Sequence, residues 1–306
     1  MLIQYQRVLL ADETEDCVAV EAPLELRFGE TKTTVLMRTP GDDADLVRGF
    51  LFNEGIIDRA EDILKFETAD NVISVQLKNP EPKRLPQNKS SDDGFRDARV
   101  ARRTDEAVLT VPPGGATQPD GMYRKPEQMS YFAAVAKPPE RQFYSSSSCG
   151  ACGKSSLQDL KIRGAMVTSE VRVERRVLTA LPQALRQAQT TFQKTGGVHA
   201  SGLFTASGAL LALREDVGRH NALDKLIGWA LNVGLVPLSE HVLLLSGRVS
   251  YELVQKSIAA GIPIVAAIGA PSSLAVELSE EFGLTLVGFL GADSMNTYTR
   301  AARITV

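Results

Sequence analysis

Sulfur and imidazole are scarce in this chain, with three cysteines and three histidines among 306 residues. So few thiols argue against a disulfide framework. All three histidines follow Cys152, so no H-x-E precedes a P-C-x-x-C, and a zinc deaminase site cannot be assembled. Charge of one sign is not in excess. The net charge is -3, which offers no basic field to a nucleic acid. No apolar run approaches the ~18 residues of a membrane span. The opening M-L-I-Q-Y-Q-R-V lacks the order of a secretory leader, so a reducing cytoplasm is the expected compartment. Neither a G-x-G-x-x-G fingerprint nor a Walker glycine is present: Gly153-Lys154-Ser155 reads G-K-S, but Ser148 stands where the first glycine is needed.

What is present is an ordinary globular composition, 43% hydrophobic and 23% charged. Alternating apolar residues predict strands over 18–28, 33–37 and 71–77, with a turn at Gly29. A helix is expected after Pro40-Gly41, capped by Asp42 or Asp43, with Leu46, Val47, Phe50 and Leu51 on one face. Residues 78–105 and 112–142 are rich in proline, serine and charge and read as flexible insertions around a short strand at 107–111. Beyond them the chain is more regular. An amphipathic helix is predicted over 178–194, closed by Gly196-Gly197, and a hairpin over 201–214 turns at Ser207-Gly208. Apolar strands over 241–245, 262–268 and 284–290 then alternate with helices over 221–233, 249–260 and 272–282. Strands apolar on both faces between helices imply an α/β sheet covered on both sides. The expected organisation is an N-terminal α+β part, residues 1–142, and a C-terminal α/β domain, residues 143–306. Cys17, beside Val18 on a strand, is expected to be a small buried residue.

Three constellations carry candidate chemistry. The first is S-S-S-S-C-G-A-C-G-K-S-S-L, from Ser145 to Leu157. Cys149 and Cys152 form a C-x-x-C bordered by glycines on an expected loop. A zinc knuckle would need four Cys/His ligands, and only His199 and His220 remain as further donors of sensible type. A dithiol redox pair lacks its usual βαβ setting. A nucleophilic or sulfur-carrying thiol fits, since Lys154 and a following helix N-terminus both favour a thiolate. The second is R-E-D-V-G-R-H-N-A-L-D-K, from Arg214 to Lys225, which crowds polar groups, His220 and Asn221 among them, onto a strand-to-helix turn. His199, at a strand start, suits a structural role as well as a chemical one. The third is a set of strand ends: Ser246-Gly247-Arg248, then Gly269 to Ser273, then V-G-F-L-G-A-D-S from Val287. Backbone N–H groups and a guanidinium there suit one anion-binding crevice.

Taken together, E-A-P-L-E-L from Glu21, M-R-T-P-G-D-D-A-D-L-V-R-G-F-L-F-N-E-G-I-I from Met37, S-S-C-G-A-C-G-K from Ser147, H-A-S-G-L-F from His199, E-D-V-G-R-H-N-A-L-D-K from Glu215, S-G-R-V-S-Y-E-L-V-Q-K from Ser246 and residues 260–290 keep one order. In this the chain resembles the formate dehydrogenase accessory sulfurtransferase family, FdhD. The resemblance implies a cytidine-deaminase-like three-layer α/β/α C-terminal domain without deaminase chemistry. It implies a sulfurtransferase: a cysteine desulfurase hands sulfur to the C-x-x-C as a persulfide, Cys149 matching the carrying residue and Cys152 its partner. The sulfur then passes to the molybdenum cofactor, in its bis(molybdopterin guanine dinucleotide) form, before insertion into formate dehydrogenase. It also implies cofactor contacts at Phe289, Leu290, Gly291, Ala292, Asp293 and Ser294. The family pattern carries an arginine where this chain has Gly291-Ala292-Asp293, so contacts there are expected from backbone N–H groups. Ser246, Gly247, Arg248, His220 and Asn221 complete the expected cofactor site, with no resident metal. Partners implied are the desulfurase and formate dehydrogenase, with neither nucleic acid nor membrane; the sequence leaves the oligomeric state open, a homodimer among the options. The alternative is a chaperone that binds the cofactor without transferring sulfur.

Overall fold

The computed structural model describes residues 3–28, 32–78 and 164–306. Cys149, Cys152, the expected strand at 107–111, the expected turn at Gly29 and nearly all of the two insertions lie outside them.

Two antiparallel strands, β1 (Tyr5–Leu9) and β2 (Glu15–Ala19), open the chain. The strand predicted over 18–28 is split, because its first residues pair with β1 while β3 (Ala22–Phe28) pairs elsewhere. β3 joins β4 (Lys32–Arg38), β5 (Ile63–Ala69) and β6 (Val72–Leu77) in a sheet of order β4-β3-β6-β5. Leu24, Leu26, Leu36, Ile73 and Val75 alternate onto one buried face, as period-2 side-chain direction requires. Cys17, on β2, is half-buried rather than buried. Helix α1 (Asp43–Asn53) follows β4 and buries Leu46, Val47 and Leu51. Asp42 holds the cap position but in the left-handed region (φ 53°), with no side-chain cap bond. The two candidate caps are engaged elsewhere: Asp42 faces Arg214, and Asp43 accepts two bonds from the buried Arg38 guanidinium at 2.9 Å each.

The second half runs β7 (Val173–Glu174), α2 (Arg175–Ala188), α3 (Thr190–Thr195), β8 (His199–Thr205), β9 (Leu210–Asp216), α4 (Arg219–Asn232), β10 (His241–Leu245), α5 (Tyr251–Ala259), β11 (Ile264–Ala267), α6 (Ser273–Glu281), β12 (Thr285–Gly288), β13 (Asn296–Thr297) and β14 (Ile304–Thr305). β14 pairs with β7. The other strands make a mixed six-stranded sheet of order β13-β12-β11-β10-β8-β9. Leu203, Leu243, Leu245, Val265 and Leu286 point to the face covered by α4, α5 and α6, while Phe204, Val242, Leu244, Ile264 and Val287 point to the face covered by α2. This is the three-layer α/β/α arrangement expected for the C-terminal part, and its strands are apolar throughout for that reason. The helix predicted over 178–194 is two helices, broken at Gln189. Among the described residues no helix is long and apolar enough to cross a membrane.

Residues from both halves share one core, and α1 against α4 is its closest helix contact. A Cβ added to Gly49 would stand 1.9 Å from the Asp224 carbonyl oxygen, and one on Gly228 would stand 1.8 Å from that of Asp45. Only glycine at both positions lets the two backbones touch. Beside this crossing the Lys225 ammonium and the Asp216 carboxylate, both fully buried, lie 2.8 Å apart. Lys225 also donates to the Thr39 carbonyl at 2.8 Å, and the Thr39 N–H donates to Asp216 at 3.1 Å. A buried charge left without its partner is far costlier than the intact pair is stabilising. Lys225→Met is therefore expected to destabilise the protein by about 3–5 kcal/mol, read by urea unfolding. The double variant Asp216→Asn, Lys225→Met should regain a large part of that loss; a double variant as unstable as the single one would contradict the role of unpaired charge.

Candidate functional site at the strand ends

β9, β10, β11 and β12 run in one direction and β8 runs against them. Their register sets Leu245 beside Ser201 and Ala267, and His199 beside Asp216. The carboxyl ends of four strands and the start of β8 thus share one rim, which is where ligands of open α/β sheets bind. From that rim three chains turn directly into α4, α5 and α6, so three helix N-termini face the same side. The loops behind them are tightly tied. Gly269 N–H donates to the Gly247 carbonyl at 3.1 Å, Val249 N–H to Ala270 at 3.1 Å, and Ser272 N–H to Val249 at 2.9 Å. A Cβ on Gly269 would lie 2.8 Å from the Gly247 oxygen, so this backbone approach requires glycine.

The residues singled out in the sequence reach this rim in different states. Ser246 is half-buried, and its Oγ accepts the Ala200 N–H at 2.8 Å. Gly247 lies against the His199 ring: a Cβ there would be 3.1 Å from Nδ1. Arg248 is exposed. Phe289 has φ 52° and is 51% exposed, a strained backbone for a bulky residue that holds an aromatic ring outward. Its N–H is anchored to Gly269 O at 3.2 Å, and the next N–H, of Leu290, to Ala267 O at 3.0 Å. The Leu290 side chain is buried in the core, whereas Ala292, Asp293 and Ser294 are exposed. Gly291 donates its N–H to Ser294 O at 2.8 Å, closing a turn.

The motif around Gly218 is largely committed to holding the fold. Asn221 is buried, and its amide donates to Met37 O at 2.7 Å and to Asp216 at 3.0 Å. Asp224 pairs with Lys256 at 2.5 Å and accepts from Asn53 at 2.6 Å. Arg214 pairs with Asp45 at 3.0 Å. Glu215 accepts the Thr191 and Phe192 N–H groups at 2.9 Å each. His220 is buried, its Nε2 2.9 Å from Glu252 Oε2, while its Nδ1 has no partner among the described residues. Arg219, at the first position of α4, likewise keeps a buried Nε without one. Among the described residues no group of three or more His, Cys, Asp or Glu side chains is placed to hold a metal ion.

One group joins the site that the sequence left undecided. His199 lines a cavity of about 470 Å³ with Arg186, Gln189, Phe192, Ser246 and Ile268. Burial lowers its pKa from the usual 6.5, the nearby positive charges of Arg219 and His220 lower it further, and Asp216 opposes them. The imidazole is therefore held further toward its neutral form than an ordinary histidine. Arg186 lies over the Phe192 ring, 4.0 Å from its centre, on one wall. The sequence carried one signal of this cavity: Gln189 is a polar residue on the apolar face of the predicted helix, four after Leu185. Removing the Arg219 charge should let His199 bind its proton more readily. Arg219→Gln is expected to move the His199 midpoint upward in an NMR titration, and an unchanged or lower midpoint would refute the electrostatic assignment.

With the geometry in place, comparison with known proteins is direct. The model of the FdhD/NarQ family matches residues 19–108 and 123–305. The sulfur carrier protein FdhD of Mycobacterium tuberculosis is 43% identical over 98% of this chain and 96% of its own length. The protein of that name from Streptomyces avermitilis is 42% identical over 94% and 89%, and that from Sulfurisphaera tokodaii 38% identical over 96% of each. Among solved structures, a formate dehydrogenase accessory protein from Desulfotalea psychrophila superposes with a TM-score of 0.63, covering 99% of this chain and 98% of that one at 21% identity, which establishes the shared fold. On the extent and order of these matches, the chain belongs to the FdhD/NarQ family.

Proposed function

We propose that this protein is a sulfurtransferase that accepts sulfur from a cysteine desulfurase and delivers it to the molybdenum cofactor, in its bis(molybdopterin guanine dinucleotide) form, for formate dehydrogenase. The observation that carries the reading is the near-full-length similarity to proteins named as sulfur carriers, in a chain that possesses one paired thiol motif. Cys149 takes the sulfur. Its thiolate attacks the terminal sulfur of the desulfurase persulfide, a new S–S bond forms on Cys149, and the desulfurase cysteine leaves as a thiolate. Lys154 favours the attacking thiolate electrostatically. Cys152, two residues on, assists transfer or release.

The strand-end rim is the receiving side of this scheme. Three helix N-termini and the exposed Arg248 suit phosphate-bearing substrates. Phe289 offers a flat apolar surface to a heterocycle, and the Gly247–Gly269 backbone contact holds the two loops beside it together. His199, which burial holds toward its neutral form, supplies a ring nitrogen on the same rim, and His220 directs Nε2 to Glu252. A reducing compartment is the proposed setting, since it keeps Cys149 and Cys152 from closing into a disulfide.

Three measurements test the reading. Cys149→Ala should reduce uptake of labelled sulfur from a desulfurase by at least a hundredfold; uptake at the parent rate rejects Cys149 as acceptor. Full formate dehydrogenase maturation by a Cys149→Ala, Cys152→Ala double variant would favour a binding chaperone instead. Phe289→Gly separates binding from folding. Glycine adopts φ 52° without strain, so stability should stay within about 1 kcal/mol of the parent. Loss of base stacking, worth about 1–3 kcal/mol, should weaken cofactor affinity roughly tenfold. Unchanged affinity in a calorimetric titration would remove Phe289 from the site.

A further inference from the structure

The apolar spacing Leu181, Leu185, Ala188, Phe192 asks for one continuous helix, yet the backbone leaves helical geometry at Gln189, where ψ is 84°. The local cause is Glu215, at the rim end of β9. It is buried at 8% exposure, and its two oxygens each accept one N–H, from Thr191 and from Phe192, at 2.9 Å. In an unbroken helix those N–H groups would bond the carbonyls four residues earlier, at Gln187 and Ala188. The carboxylate replaces that ladder. The break has a visible result. Gln189 and Phe192 line the cavity, with Arg186 stacked on the ring, together with Gly196, Gly197, His199 and Ser246. Gln189 lines the cavity and is buried at 3% exposure, and its buried Nε2 has no partner among the described residues. A buried amide left unsatisfied costs roughly 1–3 kcal/mol and marks a place where a bound group completes the hydrogen bonding.

We propose that Glu215 is a positioning residue: by holding the α2–α3 break it keeps open the cavity between Phe192 and His199, which extends the acceptor site at the strand ends. This rests on the reading that the sulfur-accepting cofactor binds at that rim. The part of the ligand entering the cavity is planar and presents a hydrogen-bond acceptor to the Gln189 amide. Glu215 itself faces away from the ligand, with both oxygens engaged by backbone.

The test uses the full chain, a desulfurase and the cofactor, with a variant that restores the break by other means. Thr190 is exposed and is the first residue of α3, where proline is well tolerated; proline there also keeps Gln189 out of helical geometry. Glu215→Ala should raise the KM for the cofactor at least tenfold while sulfur uptake at Cys149 stays within twofold of the parent. Amide hydrogen exchange across residues 187–193 should change in the same variant. Thr190→Pro alone should leave both parameters unchanged, and Glu215→Ala with Thr190→Pro should return KM to within threefold of the parent. An unaltered KM in Glu215→Ala overturns the proposal. So does a loss that Thr190→Pro fails to rescue, which would mean that Glu215 acts by another route. Should Glu215→Ala not fold, Gln189→Ala, which removes the buried donor and keeps the cap, is expected to raise KM about fivefold; no change there also overturns it. If the parent itself takes up sulfur but passes none to the cofactor, the sulfur-delivery reading falls, while the exchange data still report whether Glu215 sets the break.

Discussion

A fully buried ion pair, Asp216 with Lys225, holds the two halves of the described structure in register. It stands at the end of β9, beside the first turns of α4, and reaches the Thr39 backbone of the N-terminal half through both partners. Asn221 adds a bond to Met37, and the Thr39 hydroxyl accepts the Val217 N–H at 3.1 Å. Each charge has lost water on all sides, so the pair contributes little net stability compared with an apolar substitute. Its value lies in direction. Only one placement of the Thr39 loop satisfies the ammonium, the carboxylate and the backbone groups together.

That placement fixes α4, and α4 fixes the rim. The glycine crossing at Gly49 and Gly228 brings α1 and α4 into backbone contact, so neither helix can slide without steric conflict. The N-terminus of α4 is held at the carboxyl end of the sheet, with Arg219 and His220 in its first turn. The polar residues between Arg214 and Lys225 therefore divide by direction. Those pointing inward hold the fold, and those at the rim remain open for chemistry. Glu215 belongs to the first group yet shapes the second, because the helix end it caps is a cavity wall.

Much of this architecture was legible in the sequence because it follows from short-range periodicity. The strand over 241–245 begins and ends where its apolar run does, and the helices over 221–233 and 272–282 lie within a few residues of their observed ends. The strand ends were legible as a group because serine, glycine and arginine recur after each apolar run. What periodicity cannot express is a partner distant in sequence. The carboxylate that takes the N–H groups beyond Gln189 lies 24 residues after Thr191, on another element. Asn221 looks like a ligand-binding residue until Met37, 184 positions earlier, takes its amide. Likewise Asp42 and Asp43 look like helix caps, but two arginines compete for them more strongly than the backbone does. His199 gained its role only when Gly247 and Arg219 came beside it.

The central claim is that the paired thiols carry sulfur toward this rim, and mass spectrometry of the intact chain after incubation with a cysteine desulfurase tests it most directly. The account predicts one added sulfur, about 32 Da, removable by reductant and mapped by peptide fragmentation to Cys149. Absence of that mass under conditions where the desulfurase turns over, or its appearance on Cys17 alone, would contradict it.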